Sequence, residues 1–144
     1  MNQTAWIVSS AMGPHRAYQM YAHIVWRTWC RVGCVNSAAV GDIRSALTSA
    51  SKRTGVRVLR HVELADHVHV LVSFLPDQKL SDFVRLVKSV ASFRAGRRVP
   101  GALKWARGYY VATYHRKDVM RVAKYVMDQY QRHPDRVPRS SRRS

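Results

Sequence analysis

The order in which strand-like and helix-like apolar patterns alternate restricts the fold of this chain more than any other feature of its sequence. Segments rich in β-branched and aromatic residues predict strands, whereas apolar residues three or four positions apart predict helices. In chain order the predicted elements are a strand at 17–29, a helix at 37–54, strands at 56–64 and 67–74, a helix that begins at Ser81, a strand at 109–114 and a helix at 118–132. This order predicts an α+β fold, a ferredoxin-like (split βαβ) two-layer sandwich with an antiparallel sheet. The extra C-terminal helix is expected to pack on the uncovered face of that sheet.

Cap and turn residues set the boundaries of these elements. Asn36 or Ser37 can cap the first helix, and Gly55 is suited to the position after its last residue. The pair 65–66 is short enough for a hairpin between the second and third strands, and Ser81 is the predicted cap of the second helix. Helical spacing predicts that the apolar face of the second helix consists of Phe83, Leu86, Val87, Val90 and Phe93.

Length and composition predict one domain with two flanking segments. A chain of 144 residues, of which 47% are hydrophobic, has the size and composition of a single packed domain. We predict an N-terminal arm at 1–16, a domain at 17–133, and a basic tail at 134–144 that is disordered until it meets a polyanion. No signal peptide and no run of the ~20 apolar residues of a membrane span is found, which predicts a cytoplasmic protein. Cys30 and Cys34 lack the spacing of a zinc site and are interpreted as incidental thiols.

Positive charge is the strongest bulk property of the sequence. The chain has 25 Lys and Arg residues against 8 acidic residues, for a formal net charge of +17, and 14 basic but only 3 acidic residues lie from Arg94 onward. Self-repulsion of this size is usually tolerated because the partner is a polyanion, so nucleic acid is the predicted partner. A membrane surface is disfavoured because no basic helix has an apolar face rich in Trp or Phe. Charge alone does not separate an enzyme from a binding module.

Two histidines in the predicted third strand are the first candidates for chemistry. His67 and His69 are separated by one residue, and alternate residues of a strand point to the same face, roughly 6.5–7 Å apart. Two neutral imidazoles on one face are half of a metal site. The alternative is that both are structural histidines with satisfied hydrogen bonds.

The last predicted helix has the second pair of candidates. Tyr125 and Gln129 are four residues apart and therefore share a helical face. The glutamine offers an amide oxygen as a metal ligand, and the tyrosine offers a phenol oxygen as a nucleophile towards a phosphate. The alternatives are that Tyr125 belongs to a buried stripe with Val122 and Val126, and that Gln129 is a solvated surface residue.

Taken together, these motifs resemble the single-tyrosine HUH transposases of the smallest bacterial insertion sequences and their domesticated, palindrome-associated relatives. The similarity covers about residues 18–133 in collinear order, and the pairing of a His-hydrophobic-His strand with a Tyr-plus-Gln helix is its most specific part. The matching segments are YAHIVWRT at 21–28, DHVHVLV at 66–72, LVKS at 86–89, WARGYY at 105–110 and YVMDQ at 125–129.

The resemblance implies a mechanism, a cofactor and partners. Tyr125 is the expected nucleophile and His67, His69 and Gln129 are the expected ligands of a divalent metal, magnesium or manganese. Attack of the tyrosine on single-stranded DNA is expected to give a 5′-phosphotyrosine link and a free 3′-hydroxyl that later reverses the reaction on another end. The family recognises imperfect DNA hairpins and works as homodimers, in which the tyrosine helix can serve either subunit.

Basic and aromatic residues near these motifs are candidates for DNA contacts. The predicted phosphate contacts are Lys88, Arg94, Arg97, Arg98, Lys104, Arg107, Arg121 and Lys124. Trp105, Tyr109 and Tyr110 can stack on unpaired bases, or they can be core residues that flank a strand. For the arginines the alternative is a solvated loop.

Three functions are compatible with the sequence. The first is a transposase that cleaves and rejoins single-stranded DNA, and the second is a domesticated relative that nicks hairpins without mobilising itself. The third is a non-catalytic nucleic-acid-binding module that uses the sheet as RNA-recognition modules do, by fold analogy alone. The third gives no reason for the two histidines, Tyr125 and Gln129 to converge, and it requires exposed aromatic residues on central strands.

Overall fold

The computed structural model describes residues 20–139, and its sheet has the predicted antiparallel topology. The strands are β1 (Met20–Arg27), β2 (Arg57–Glu63), β3 (His67–Phe74) and β4 (Tyr110–Tyr114), in the spatial order β2-β3-β1-β4. The helices are α1 (Ser37–Thr54), α2 (Leu80–Arg98), α3 (Val119–Met127) and a short α4 (Gln129–Arg132). Three single 3-10 turns occur at Trp29–Arg31, Arg116–Asp118 and Pro134–Arg136. The α+β, ferredoxin-like prediction is therefore confirmed.

Local sequence explains the boundaries of α1 and of the β2–β3 hairpin. The Asn36 side chain accepts a hydrogen bond from the Ala39 amide at 2.9 Å, which satisfies an otherwise free donor of the first helical turn. Gly55 ends the helix with a φ of 80°, a conformation that L-residues with a side chain rarely adopt. The hairpin between β2 and β3 is closed by the Leu64 amide, which donates to the His67 carbonyl at 2.8 Å. Both predicted boundaries are confirmed.

Strand alternation gives the sheet two different faces. On the first face, Ile24, Trp26 and Val70 belong to a buried core that α1 and α2 cover. On the second face, Leu64 and Leu71 belong to a smaller core together with Val62 and Tyr21, and that core is completed by α3 through Val119, Val122, Ala123 and Val126. The extra C-terminal helix thus packs where the sequence predicts, and odd-numbered residues of β1 and β3 point towards it.

The start and the buried face of α2 differ from the prediction. The helix begins at Leu80, and the residue before it, Lys79, forms no side-chain cap, so the assignment of Ser81 as the cap is wrong. The buried residues are Phe83, Val84, Val87, Ala91 and Ala95, while Phe93 is 67% exposed. The C-terminal half of α2 packs against α1 through alanines, because small side chains allow the two helices to approach closely. Of the predicted apolar face, Phe83 and Val87 are buried and Leu86 and Val90 pack half-buried against the same core, so only Phe93 is misplaced.

The chain after β4 departs from the prediction in two ways. The predicted helix at 118–132 is broken at Asp128 into α3 and α4. Residues 134–139 of the predicted disordered tail instead follow a defined path, since the Ala65 amide donates to the Arg136 carbonyl at 2.6 Å and the Ser37 amide to the Arg139 carbonyl at 2.9 Å. The arm at 1–16, residues 17–19 of the predicted first strand, and residues 140–144 of the tail lie outside the described residues. The division into arm, domain and tail stays a prediction.

Docking of α3 on the sheet is testable through its buried valine. Val126→Ala is expected to lower the free energy of unfolding by about 1–3 kcal/mol, because Val126 is fully buried and the lost methyl groups leave a cavity. Urea unfolding followed by circular dichroism measures the change. Met127→Ala is the control on the same helix, since Met127 is 45% exposed and is expected to change stability by less than about 0.5 kcal/mol. Equal effects of the two substitutions would contradict the docked arrangement.

Candidate active site

Three histidines of β1 and β3 lie side by side on the second face of the sheet. The register pairs Val25 with His69, so His23 and His69 are diagonal neighbours across the two strands. The Nε2 atom of His23 is 2.9 Å from the Nδ1 atom of His69, and the ring centroids of His67 and His69 are 4.9 Å apart. All three side chains are buried, with exposed fractions of 5% for His23, 9% for His67 and 5% for His69. The two predicted ligands therefore share a face, and His23 joins them.

A carboxylate fixes the orientation of His67. The Oδ1 atom of Asp66 is 2.7 Å from the Nδ1 atom of His67, and the Oδ2 atom of Asp66 accepts a hydrogen bond from Arg136 Nη1 at 3.1 Å. Burial alone would raise the pKa of Asp66, but its hydrogen bond with His67, the charge that His67 would have when protonated, and the positive charges of Arg136 and Arg31 outweigh burial, and the pKa is lowered. Asp66 is thus ionised and accepts the Nδ1 proton of His67, which leaves the Nε2 lone pair of that ring free.

Burial keeps the three imidazoles neutral. It lowers the pKa of His69 to about 3, with further lowering by the positive charges that His67, His23 and His133 would have when protonated. Burial also lowers the pKa of His23, and it lowers the pKa of His67 despite the opposing effect of Asp66. Neutral imidazoles have the lone pairs that metal coordination requires.

The residues of the last helices complete the same cavity. Tyr125 is 42% exposed, and its ring centroid lies 6.4 Å from that of His69 and 5.9 Å from that of His23. Gln129 is 1% exposed, and its side-chain nitrogen donates to the Tyr125 carbonyl at 3.2 Å, which leaves the amide oxygen available as a ligand. The guanidinium carbon of Arg132 lies 5.0 Å from the Tyr125 ring centroid. The four predicted residues His67, His69, Tyr125 and Gln129 all line one cavity of about 860 Å³ within a single chain.

The donor atoms in this cavity suit a divalent metal with open coordination positions. The Nε2 atom of His69 is buried and has no hydrogen-bond partner within residues 20–139. The Nδ1 atom of His69 faces His23, and the Nδ1 atom of His67 faces Asp66. Both rings can therefore offer Nε2 to a metal while the other nitrogen is held by a partner. Within the same residues, no cluster of three or more His, Cys, Asp or Glu side chains can hold an ion. A metal here would therefore need the amide oxygen of Gln129, with phosphate or water in the remaining positions.

Comparisons with known proteins agree with this arrangement. The family model described as "Transposase IS200 like" matches residues 16–129. The chain belongs to the IS200-like transposase family. The match includes all four residues that converge in the cavity, and membership of the family implies a DNA-cleaving enzyme.

Individual relatives of this IS200-like transposase support the same assignment. The ISDra2 transposase TnpA of Deinococcus radiodurans is 24% identical, over 78% of this chain and 86% of the relative. A solved structure of a transposase from Deinococcus radiodurans superposes with a TM-score of 0.62 at 21% identity, covering 81% of this chain and 95% of the other. A REP-associated tyrosine transposase bound to a REP hairpin superposes with a TM-score of 0.65 at 16% identity, covering 85% of this chain and 74% of the other. The solved structures establish the fold that this transposase shares.

Among residues 20–139, none of the helices is long and apolar enough to cross a bilayer.

The predicted DNA contacts divide into cavity, groove and internally paired residues. Of the eight, Arg107 lines the cavity, and Lys88, Lys104 and Arg107 line a neighbouring groove of about 650 Å³ beside α2. Lys88 also supports the loop before β4, because its ammonium group donates to the carbonyls of Ala106 at 3.0 Å and Gly108 at 2.7 Å. Burial lowers the pKa of Lys88.

The other five predicted contacts lie away from the cavity, and four of them face acidic partners. Arg98 forms a two-point ion pair with the buried carboxylate of Asp42, and Arg94 lies 3.7 Å from that carboxylate. The Arg97 guanidinium lies 6.0 Å from the Phe93 ring centroid. On α3, the acidic partners are Asp118, 3.6 Å from Arg121, and Asp128, 3.0 Å from Lys124. These contacts stay predictions.

Several residues of the cavity escaped prediction from the sequence. They are the lining residues His23, Arg27, Arg31, His133 and Arg136, together with Asp66, which contacts His67, and Arg132, which lies at the Tyr125 ring. His23 becomes a candidate only once the β1–β3 register is known, and Arg132 could have been found as the residue two helical turns after Tyr125. Arg136 reaches the site through a turn that no periodicity predicts.

Burial of neutral histidines predicts a loss of stability in acid. A histidine whose folded-state pKa lies below its unfolded value contributes stability that is complete above about pH 6.5 and is lost as the pH falls towards the folded pKa. For His69, the folded pKa is about 3, so this stability is lost between about pH 6.5 and about pH 3. In metal-free buffer the free energy of unfolding is expected to fall by about 1 kcal/mol per pH unit below pH 6 for this residue.

Urea unfolding at pH 7, 6 and 5 measures this slope. His69→Asn retains a polar atom near the Nδ1 position but does not titrate, so its stability is expected to depend less steeply on pH than that of the wild type. Parallel curves for the two proteins would show that His69 is not buried in its neutral form.

Proposed function

We propose that this chain cleaves and rejoins single-stranded DNA at hairpin-marked ends through a 5′-phosphotyrosine intermediate. The observation that carries the proposal is the convergence of Tyr125, Gln129, His67 and His69 in one cavity, with the Nε2 atom of His69 buried and unpaired within the described residues. A nucleophile, two imidazoles and an amide oxygen are the groups that metal-assisted transesterification requires.

The chain's own residues account for each change of bonding. Tyr125 Oη loses its proton and forms a bond to phosphorus, the bond from phosphorus to the 3′ oxygen breaks, and that oxygen takes up a proton and leaves as a 3′-hydroxyl. The reverse attack by a 3′-hydroxyl restores a phosphodiester and frees the tyrosine, so no nucleotide cofactor is consumed. Magnesium or manganese, held by His67, His69 and Gln129, would supply Lewis-acid polarisation of the scissile phosphate. Arg132, at the Tyr125 ring, is placed to stabilise negative charge on the phosphate.

Charge around the cavity supports single-stranded DNA as the substrate. Arg27, Arg31 and Arg107 line it together with Tyr109, Tyr110 and Tyr114, and cationic and aromatic side chains together suit a flexible strand with unpaired bases. We infer that Lys88, Arg94, Arg97, Arg98, Lys104, Arg121 and Lys124 add weaker, sequence-independent phosphate contacts. Similarity to a transposase bound to a REP hairpin supports hairpin-containing DNA, and a domesticated, hairpin-nicking role is the second candidate. Such a protein would act on nucleoid DNA in the bacterial cytoplasm.

Two further features bear on assembly and on the non-catalytic alternative. A homodimer is proposed from the family resemblance, and β4 is an edge strand whose outer side has no partner strand within residues 20–139.

The non-catalytic module needs an open sheet face for base stacking. Here α1 and α2 cover one face of the sheet and α3 packs on the other, which disfavours that alternative.

Replacement of the nucleophile tests the proposal directly. With manganese and a labelled hairpin oligonucleotide, wild-type protein is expected to form a covalent adduct that survives denaturing electrophoresis, and Tyr125→Phe is expected to form none because it lacks the phenol oxygen. Tyr130→Phe is the control, since Tyr130 is half-buried in the smaller core beside α3. A normal adduct with Tyr125→Phe would mean that another residue is the nucleophile.

Metal removal tests the ligand assignment. EDTA is expected to abolish the adduct, and added magnesium or manganese to restore it. Gln129→Ala is expected to need at least about tenfold more manganese for half-maximal adduct formation, because it removes one ligand oxygen. Adduct formation that is indifferent to EDTA would refute metal assistance while leaving the nucleophile untouched.

A further inference from the structure

The chain after α4 folds back onto the strand that contains the histidines. A 3-10 turn at Pro134–Arg136 follows α4, and residues 136–139 then run beside the β2–β3 hairpin and the start of α1. Two backbone hydrogen bonds fix this path, from the Ala65 amide to the Arg136 carbonyl at 2.6 Å and from the Ser37 amide to the Arg139 carbonyl at 2.9 Å. The Arg136 side chain is therefore presented to Asp66 by an anchored backbone.

Arg136 and His67 occupy different oxygens of the same carboxylate. Arg136 Nη1 donates to Oδ2 of Asp66 at 3.1 Å, while Oδ1 of Asp66 lies 2.7 Å from Nδ1 of His67. Asp66 is 7% exposed, so solvent does not compete strongly for these oxygens. A carboxylate held at both oxygens has a fixed plane, and a ring that donates to it has a fixed orientation and tautomer.

We propose that Arg136 is a positioning residue that acts through Asp66 to hold His67 as the Nδ1–H tautomer, with Nε2 directed into the cavity. The inference rests on the proposed function, because it assigns His67 as a metal ligand. It adds a role for the C-terminal segment, which connects the end of the tyrosine helix to the metal strand of the same chain.

A merely structural ion pair would have a different signature. Loss of such a pair lowers stability but leaves the tautomer of His67 and the affinity of the folded protein for metal unchanged. Arg139 provides a matched control, because it lies in the same segment, has the same charge, is exposed and contributes its backbone carbonyl rather than its side chain. Arg136→Lys provides the conservative rescue, since an ammonium group can also donate to the carboxylate.

The test uses the full chain as wild type, Arg136→Gln, Arg136→Lys and Arg139→Gln at one fixed pH of 8. Nitrogen-15 correlation spectra of the metal-free protein report the tautomer of His67, and manganese titration followed by electron paramagnetic resonance reports affinity. Arg136→Gln is expected to mix the two tautomers and to weaken manganese binding about tenfold or more. Arg136→Lys is expected to recover part of both losses, and Arg139→Gln to match the wild type.

The two readouts separate this inference from the proposed function. An unchanged His67 tautomer in Arg136→Gln, or the same losses in Arg139→Gln, would overturn the positioning role. If wild-type protein binds no manganese, the proposed metal site fails, and the tautomer measurement alone still decides whether Arg136 positions His67.

Discussion

The apolar contact between α3 and the second face of the sheet is the interaction on which the candidate site depends. Val119, Val122 and Val126 are buried against the sheet, and their burial fixes the rotation of the helix about its axis. Tyr125 precedes Val126 and is consequently placed at the rim of that contact, half-exposed above the histidines. The geometry of the candidate site is thus a consequence of core packing, because neither β3 nor α3 alone contains all four of its residues.

Burial and hydrogen bonding together give the histidines their chemistry. Imidazoles on the solvated side of a sheet would titrate near neutral pH, where protons would compete with a metal ion for the ring nitrogens. Covered by α3 and α4, they are neutral, and each ring has its Nδ1 atom next to a partner, Asp66 for His67 and His23 for His69. Both rings line the cavity, and the remaining nitrogen of His69 is buried without a hydrogen-bond partner in the described residues. The cost of leaving such a nitrogen unpaired is a physical reason to expect a ligand there.

Local features of the sequence were predictable, and long-range pairings were not. The bounds of β3, the Asn36 cap and Gly55 follow from alternation and turn chemistry, which act over a few residues. His67, His69, Tyr125 and Gln129 were identifiable because each pair has a spacing that defines a face, although their convergence depended on a resemblance. His23 required a strand register, and Arg136 required the path of a segment without periodicity. Phe93 was misplaced because the C-terminal half of α2 buries the small side chains of Ala91 and Ala95 instead.

The net charge of the chain is best understood through its few acidic residues. Seven of the eight lie in ion pairs, namely Asp42, Glu63, Asp66, Asp82, Asp118, Asp128 and Asp135. Their charges are thus largely neutralised by neighbouring lysines and arginines, with Arg136 as the cation beside Asp66, while Arg27, Arg31 and Arg107 face the cavity. Field lines from such residues concentrate in a concave, partly desolvated space. A phosphodiester strand would therefore be attracted most strongly to the cavity that Tyr125 lines. Under the proposed function, the same charge excess would direct the DNA to the proposed nucleophile.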